Sequence, residues 1–198
     1  MQSFSELSIS PSLKERLKAA RFSVPTPVQA AAIPQALAGK DVIATAQTGT
    51  GKTLAFLVPV IEKLFGQNAP GITALVLVPT RELAMQVVAQ ANALQGKQAP
   101  PAALVVGGLP EGRQLDTIHN GARLVVATPG RLEDYLDRRL ISLRGVKTLV
   151  LDEADRMLDM GFLPAIRRIA SVLPVTRRTD AGGHLQAAPG LNHTGRWA

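Results

Sequence analysis

Two short stretches combine residue types and spacings suited to chemistry. The first, Ala46 to Thr53 (AQTGTGKT), contains Ala46, Gln47, Thr48, Gly49, Thr50 and Gly51 directly ahead of Lys52 and Thr53. Glycines let backbone N–H groups wrap an anion, the lysine adds a point charge, and the hydroxyl after it reaches Mg²⁺. Ala46 stands where the general phosphate-loop motif has its first glycine. The competing reading is a glycine-rich turn that caps a helix. The second stretch, Asp152-Glu153-Ala154-Asp155, groups carboxylates at the end of an apolar run. Burying them costs on the order of several kcal/mol unless a cation meets them. A nucleotide-bound Mg²⁺ is the natural cation, with Asp152 in its outer shell. Glu153 is then placed to orient or deprotonate a water attacking a γ-phosphate. A solvated acidic turn capping the next helix is the alternative.

Both stretches depend on the elements that carry them. From Asp41 to about Val172, short aliphatic runs alternate with longer segments of helical period. The runs are Val42 to Ala44, Ala74 to Val78, Ala102 to Val106, Leu124 to Ala127 and Thr148 to Leu151. Each is apolar throughout rather than alternating, as in strands buried on both faces of a parallel sheet. Thr53 to Phe65, Glu82 to Leu94, Arg131 to Arg138 and Pro164 to Val172 read as crossover helices. The expected fold is α/β: a three-layer domain with a mostly parallel sheet, binding its ligands at the carboxyl ends of the strands. Ahead of it, Leu7 to Ala20 reads as an amphipathic helix with Ser10 as cap, and Pro27 to Leu37 as a second helix.

Composition narrows the function classes. In 198 residues the formal charge is +7, 46% of residues are hydrophobic, and cysteine is absent. That describes one domain with a real core, without a disulfide scaffold or a thiolate metal site. Neither a membrane-spanning run nor an export signal is evident, so a cytoplasmic protein without membrane contact is expected. The positive balance fits a polyanionic partner or simply a soluble basic surface. With aromatics at 4%, any nucleic acid is expected to be held by its phosphates rather than by stacked bases.

Further segments, in a fixed order, complete the pattern: Phe22 to Gln29 (FSVPTPVQ), Pro79 to Ala84 (PTRELA), Gly107-Gly108 and Thr128 to Arg131 (TPGR). Together with the two stretches above, the chain from about Phe4 to Pro174 resembles the amino-terminal RecA-like domain of a bacterial DEAD-box RNA helicase. The resemblance implies ATP and Mg²⁺ as cofactors, with Lys52, Asp152 and Glu153 catalytic, Thr53 and Asp152 holding Mg²⁺ largely through water, and Asp155 coupling the motif to its surroundings. It implies that Gln29 and Phe22 select adenine, backed by Phe4. A glutamine amide donates and accepts, and a phenyl face stacks; core packing for the phenylalanines and a helix-surface place for Gln29 would be the ordinary reading if the phosphate loop were absent. It also implies that Pro79, Thr80, Arg81, Gly108, Thr128, Gly130 and Arg131 line a groove for single-stranded RNA, contacted through its backbone without regard to sequence. Thr80 and Thr128 are natural helix caps, and Arg81 and Arg131 could instead sit in surface ion pairs worth under ~1 kcal/mol.

The resemblance then stops. Family members place another buried strand, ending in Ser-Ala-Thr, about 30 residues after the acidic motif, in the middle of the sheet between the strands that feed the two nucleotide motifs. No such triplet follows here, and Thr179 to Ala188 (TDAGGHLQAA) has two glycines and one large aliphatic residue. Residues 1–176 therefore read as an incomplete RecA-like ATP-binding domain, and residues 177–198 as an irregular tail of frame-shifted or truncated origin. The family's second RecA-like domain, with its arginines for the γ-phosphate, is also missing. The expectation is an ATP-dependent RNA helicase present as an incomplete first domain, unable to unwind RNA alone. The alternative is a non-catalytic fragment that binds ATP or RNA.

Overall fold

The computed structural model describes residues 3–45, 49–66 and 70–174; the tail expected at 177–198 lies outside them. Apolar runs form a four-stranded, all-parallel sheet. Its strands are β1 (Ala74–Leu77), β2 (Ala103–Val105), β3 (Leu124–Ala127) and β4 (Thr148–Leu151), in the order β2-β3-β1-β4. Register is fixed by alternation. Ala74, Val76, Leu124, Val126 and Val150 point to one core, while Leu75, Leu77, Val125, Ala127 and Leu149 point to the other. A slip of one residue would exchange the two sets between the cores and mismatch side-chain volumes in both.

On the first face lie α1 (Pro11–Ala19), α2 (Pro27–Leu37), α3 (Lys52–Phe65) and α4 (Arg81–Gln95). On the second lie α6 (Pro129–Asp137), α7 (Ala154–Asp159) and α8 (Leu163–Val172), with α5 (Glu111–His119) packing Leu115 and Ile118 against them. Helices on both faces cover every strand, which is what apolar residues at consecutive strand positions require. No helix among the described residues is long and apolar enough to cross a membrane.

Three expectations are corrected. The helix expected from Leu7 begins at Pro11, after a short 3-10 turn at Phe4–Glu6. Ser10 makes no side-chain cap; its N–H and its Oγ each donate to the Glu62 carboxylate at 2.9 Å, pinning α1 to α3. Helix α5 was not foreseen, because its apolar stripe is only Leu115 and Ile118. The largest difference is at Val42 to Ala44, which forms no strand, and Ile43 is 64% exposed. A strand needs a ladder partner for its N–H and C=O groups. Among the described residues none lies beside it, and β4 pairs only with β1.

Candidate functional site

The topology gathers the candidate residues along the carboxyl edge of the sheet. β1 runs out into Pro79-Thr80-Arg81, β2 into Gly107-Gly108, β3 into Thr128 and β4 into Asp152. Backbone bonds hold these exits in place: Thr128 N–H donates to Val105 O and Asp152 N–H to Leu77 O, each at 3.0 Å.

On the nucleotide side, α3 starts at Lys52, preceded by Gly51 in the left-handed region at φ 87°. Only glycine takes that conformation without cost. Here it also makes room, since a Cβ on Gly51 would come within 2.3 Å of Gln29 Nε2. Gln29 is buried rather than on a helix surface. Its Nε2 donates to Gly51 O at 3.0 Å, and its Oε1 accepts from Thr26 N–H at 3.0 Å. Thr26 Oγ1 in turn donates to Thr50 O at 2.8 Å. The start of α2 therefore clamps the end of the phosphate loop, and both ends of the Gln29 amide serve that clamp. Phe22 is half-buried against the first core, and Phe4 is fully inside it. Phe4 N–H donates to Ser23 O at 3.3 Å, which ties it to the segment carrying Phe22. Gly49, also left-handed at φ 82°, stands in open space. Ala46, Gln47 and Thr48 lie outside the described residues.

Asp152 is 8% exposed. Burial raises its carboxyl above the usual range, opposed by the nearby Lys52 ammonium and reinforced by Glu153 and Asp155. A carboxyl in that position favours a cation. Lys52 and Asp152 border the same groove. Glu153 sits at φ 52°, ψ 48° as the residue before α7, an uncommon conformation for a side-chain-bearing residue. Its carboxylate meets Arg156 Nη1 at 3.1 Å. Asp155 is exposed. No group of three or more His, Cys, Asp or Glu able to hold a metal occurs among the described residues. A Mg²⁺ carried by phosphate oxygens and water needs no such cage, and a buried carboxylate beside a phosphate loop fits that mode of binding.

The other half of the edge is held differently. Thr80 caps α4, its Oγ1 accepting from Leu83 N–H at 3.3 Å, and Pro79 before it is buried. Arg81 Nη1 donates to Gly108 O at 3.4 Å, and Gly108 is left-handed at φ 74°. Thr128 precedes α6 without a side-chain cap bond, and Gly130 is exposed with nothing near its Cα face. Arg131 is in ion pairs, with Glu111 at 3.3 Å and Asp134 at 3.0 Å, and its guanidinium lies 4.7 Å over the Tyr135 ring. Arg138 joins the same Glu111 at 2.6 Å, and its hydrogen bond holds the Glu111 carboxyl below its usual range.

Sequence reasoning missed two residues here. Gln114 is buried on α5; its Oε1 accepts from Val106 N–H at 2.9 Å, and its Nε2 donates to Val106 O and Leu109 O at 3.1 Å. It thus fixes the loop that presents Gly107 and Gly108. The available signal was a glutamine next to the apolar pair Leu115 and Ile118. Glu111, which holds Arg131, had no signal, because the two lie on different helices.

Comparison with known proteins extends these observations. A family model described as DEAD/DEAH box helicase matches residues 26–181. A relative named DEAD-box ATP-dependent RNA helicase 14, from Arabidopsis thaliana, is 46% identical over 182 residues, which is 90% of this chain and 29% of that protein. The crystal structure of a DEAD box protein from the hyperthermophile Methanococcus jannaschii superposes with a TM-score of 0.82 at 36% identity, covering 88% of this chain and 47% of that one. The chain therefore spans less than half the length of either. One relative is a plant protein and the other archaeal, so neither bears on a bacterial subtype.

Proposed function

Since the chain belongs to the DEAD/DEAH box helicase family, we propose that it is the ATP-binding portion of an ATP-dependent RNA helicase. In this reading it works in the cytoplasm, takes ATP with Mg²⁺ at the phosphate loop, and takes the sugar-phosphate backbone of single-stranded RNA on the adjoining helix starts. The observation that carries the reading is the clamp of Gln29 and Thr26 on Gly51 and Thr50, at one sheet edge with Lys52 and buried Asp152. No simple glycine-rich turn calls for a buried amide and a hydroxyl to hold its carbonyls.

The residues divide the work. Backbone N–H groups at the start of α3 face incoming phosphates, and Lys52 adds charge toward the β- and γ-phosphates. Asp152, largely through water, and the Thr53 hydroxyl would hold Mg²⁺. Mg²⁺, when bound, offsets the charge that develops on the transferred phosphoryl group. Glu153 orients the attacking water and accepts its proton, for which its carboxylate must turn from Arg156 toward the phosphate. Asp155 links this segment to its neighbours. Gln29 reads adenine with the donor and acceptor capacity its clamp leaves unused, and Phe22 supplies the stacking face. Thr80, Arg81, Gly108, Thr128, Gly130 and Arg131, with Pro79 behind them, bind RNA phosphates without reading bases. Arginines acting on the γ-phosphate in trans are worth roughly 10³–10⁵ in turnover elsewhere. Taken by themselves, residues 1–198 bind both ligands and turn ATP over slowly at most.

The test is fluorescence binding of a labelled ATP analogue with Mg²⁺, run beside filter binding of single-stranded RNA. Saturable, competable binding of ATP in preference to GTP is expected. Equal affinity for the two nucleotides would remove the role given to Gln29, and absence of nucleotide binding would remove the proposal.

A further inference from the structure

We infer that the amino edge of the sheet, opposite the candidate nucleotide and RNA sites, is a second binding surface for the phosphate backbone of RNA. That the polyanion is RNA rests on the reading above; the surface itself is one that reading does not use.

Charge is distributed differently at the two edges. At the carboxyl edge, the strand exits and the first turns of the helices there carry as many carboxylates as cations. Lys52 stands near Asp152, Arg131 pairs with Glu111, and Arg156 pairs with Glu153. The chain's formal excess of +7 is therefore not at the groove proposed for RNA. The amino edge is built from the four connections that lead into the strands, residues 70–73, 96–102, 120–123 and 138–147. They hold Lys97, Arg123, Arg138, Arg139, Arg144 and Lys147, and no aspartate or glutamate. Arg138 is drawn into ion pairs with Glu111 and Asp134; the other five are in none among the described residues. Asp137 at the end of α6 is already bonded to Arg168 at 2.5 Å, and Asp116 lies a turn inside α5. Helix carboxyl ends attract cations within their last turn, but the last turns of α4 and α6 carry none, and Arg144 and Lys147 stand well past the end of α6.

The four connections lie side by side. Thr73 N–H donates to Arg123 O and Lys147 N–H to Thr73 O, each at 2.8 Å. Arg123 and Lys147 therefore flank the entry to β1, with backbones about 10 Å apart at two strand spacings. Val146 N–H donates to Leu143 O at 3.0 Å, closing the turn that carries Arg144, and a Cβ on Gly145 would come within 2.9 Å of Ile72 O. That turn thus rests against the same entry. A Cβ on Gly121 would stand 3.9 Å from Pro100, which brings the connection of Lys97 beside that of Arg123. Lys97, Arg139, Arg144 and Lys147 are exposed, while Arg123 is half-buried with Nη1 donating to Leu64 O at 2.7 Å.

The surroundings of these cations select the partner. No exposed large apolar side chain lies in the four connections. The surface therefore lacks the anchors on which protein interfaces centre and the apolar face by which a helix enters a lipid surface. Cations without apolar or aromatic neighbours suit a backbone of phosphates, held without regard to base. From Arg123 to Thr128, and from Lys147 to Asp152, the strands span about 17 Å, and helices cover both faces between. An RNA of a few nucleotides can occupy one edge, whereas a long one reaches both.

The experiment uses the full chain and fluorescein-labelled single-stranded RNAs of about 8 and about 40 nucleotides, read by anisotropy at low salt without nucleotide. Arg144→Glu combined with Lys147→Glu should weaken binding of the longer RNA at least about tenfold and that of the shorter less than about twofold. The slope of log affinity against log salt for the longer RNA should fall by about 1.4, for two contacts at ~0.7 each. Arg139→Gln combined with Arg144→Gln, which only neutralises, should weaken the longer RNA about threefold. Lys18→Glu combined with Arg167→Glu, at exposed positions of α1 and α8, makes the same net charge change as the first pair and should weaken it less than about twofold. Unchanged binding of the longer RNA in both amino-edge variants, equal losses on the two RNAs, or an equal loss in the α1 and α8 variant would overturn the inference. So would binding of the parent chain to phosphatidylserine vesicles that Arg144→Glu with Lys147→Glu abolishes while the longer RNA still binds, since a lipid surface would then be the occupant. Arg81→Ala on the shorter RNA tests the groove separately. An effective amino-edge variant beside a silent Arg81→Ala defeats only the groove, and an effective Arg81→Ala beside silent amino-edge variants defeats only this inference.

Discussion

On the β2 and β3 side of the sheet, each loop at the carboxyl edge is tied to a neighbour. Gln114 holds residues 106–109, Thr128 N–H reaches Val105 O, and Arg81 reaches Gly108 O. On the β4 side the end of the phosphate loop is held by Gln29 of α2 and by Thr26 ahead of it, and residues 42–45 that lead into the loop belong to no ladder among the described residues. Both sides carry the residue types their proposed ligands need, but only one has a complete strand framework beneath it. Residue identity and residue placement are therefore separable in this chain, and phosphate-backbone binding depends less on placement than phosphoryl transfer does. Electrostatic capture of a polyanion tolerates loose geometry, whereas misplacing a reacting group by about 1 Å can cost about a hundredfold in rate.

The sharpest way to break this division is to remove one charge from each half. Lys52→Ala should weaken binding of labelled ATP by more than about a hundredfold, or ~3 kcal/mol at 1.4 kcal/mol per tenfold, and change affinity for single-stranded RNA less than about twofold. Arg81→Ala should do the reverse, with a loss of about three- to tenfold in RNA affinity and a shallower salt dependence. Equal losses of both ligands in each variant would show that the two halves are one site.

Packing offers the next test, using one substitution on two strands. Val126 in β3 is fully buried between neighbours on both sides, while Val150 in β4 faces the same core but also lines the groove. Val126→Ala should cost about 2–3 kcal/mol and Val150→Ala about 1 kcal/mol, because removing two methyl groups beside an existing void forfeits fewer contacts. Urea denaturation of the two variants measures the difference. Equal costs would mean that the β4 side is as tightly packed as the β3 side.

The same contrast governs what the sequence reveals. Four of the five apolar runs lie at their expected strand positions, because continuous burial on both faces leaves a plain pattern. Val42 to Ala44 has the same pattern yet is no strand, since a strand also depends on a neighbour that residue patterning in the run itself does not record. The glycines, Lys52 and Asp152 were legible from local spacing. The Gln29 clamp and the hold of Gln114 and Glu111 were not, because each joins segments whose proximity only the folded chain creates. An amide or carboxylate in a helix looks alike whether it faces solvent or a loop.

Asp152 gives a pH test of intermediate size. Burial raises its carboxyl, so the folded chain binds that proton more tightly than the unfolded chain does. Ionisation at neutral pH therefore opposes folding, and the penalty fades as pH falls through the raised value toward the ordinary aspartate range near ~4. Asp152→Asn removes the penalty and should raise Tm at pH 7 by a few degrees at most. The advantage should shrink as pH is lowered. With Mg²⁺ and ATP present the order should invert, the parent chain gaining stability by mass action and the variant gaining little. A variant less stable than the parent at pH 7 without ligand would show that Lys52 outweighs burial at this carboxyl.

The smallest effect is expected at Glu111→Gln, on the better-tied side. Glu111 receives Arg138 at 2.6 Å and Arg131 at 3.3 Å, and all three side chains are partly exposed. Such pairs add little to stability, so thermal unfolding should be unchanged at neutral pH. The Glu111 carboxyl is held below its usual range chiefly by Arg138; what the pairs add is therefore present above the ordinary glutamate value and lost only as pH falls through the lowered one. Arg131 keeps two other constraints in the variant, Asp134 at 3.0 Å and the Tyr135 ring, so its position survives the loss of Glu111. What changes is the charge near the proposed RNA groove, which loses one negative group beside two arginines. Affinity for single-stranded RNA should rise by about two- to threefold, with a steeper dependence on salt, because more of the arginine charge is available to phosphate. A fall in affinity would instead make Glu111 the residue that aims Arg131, and would mean that this flank, too, depends on exact placement.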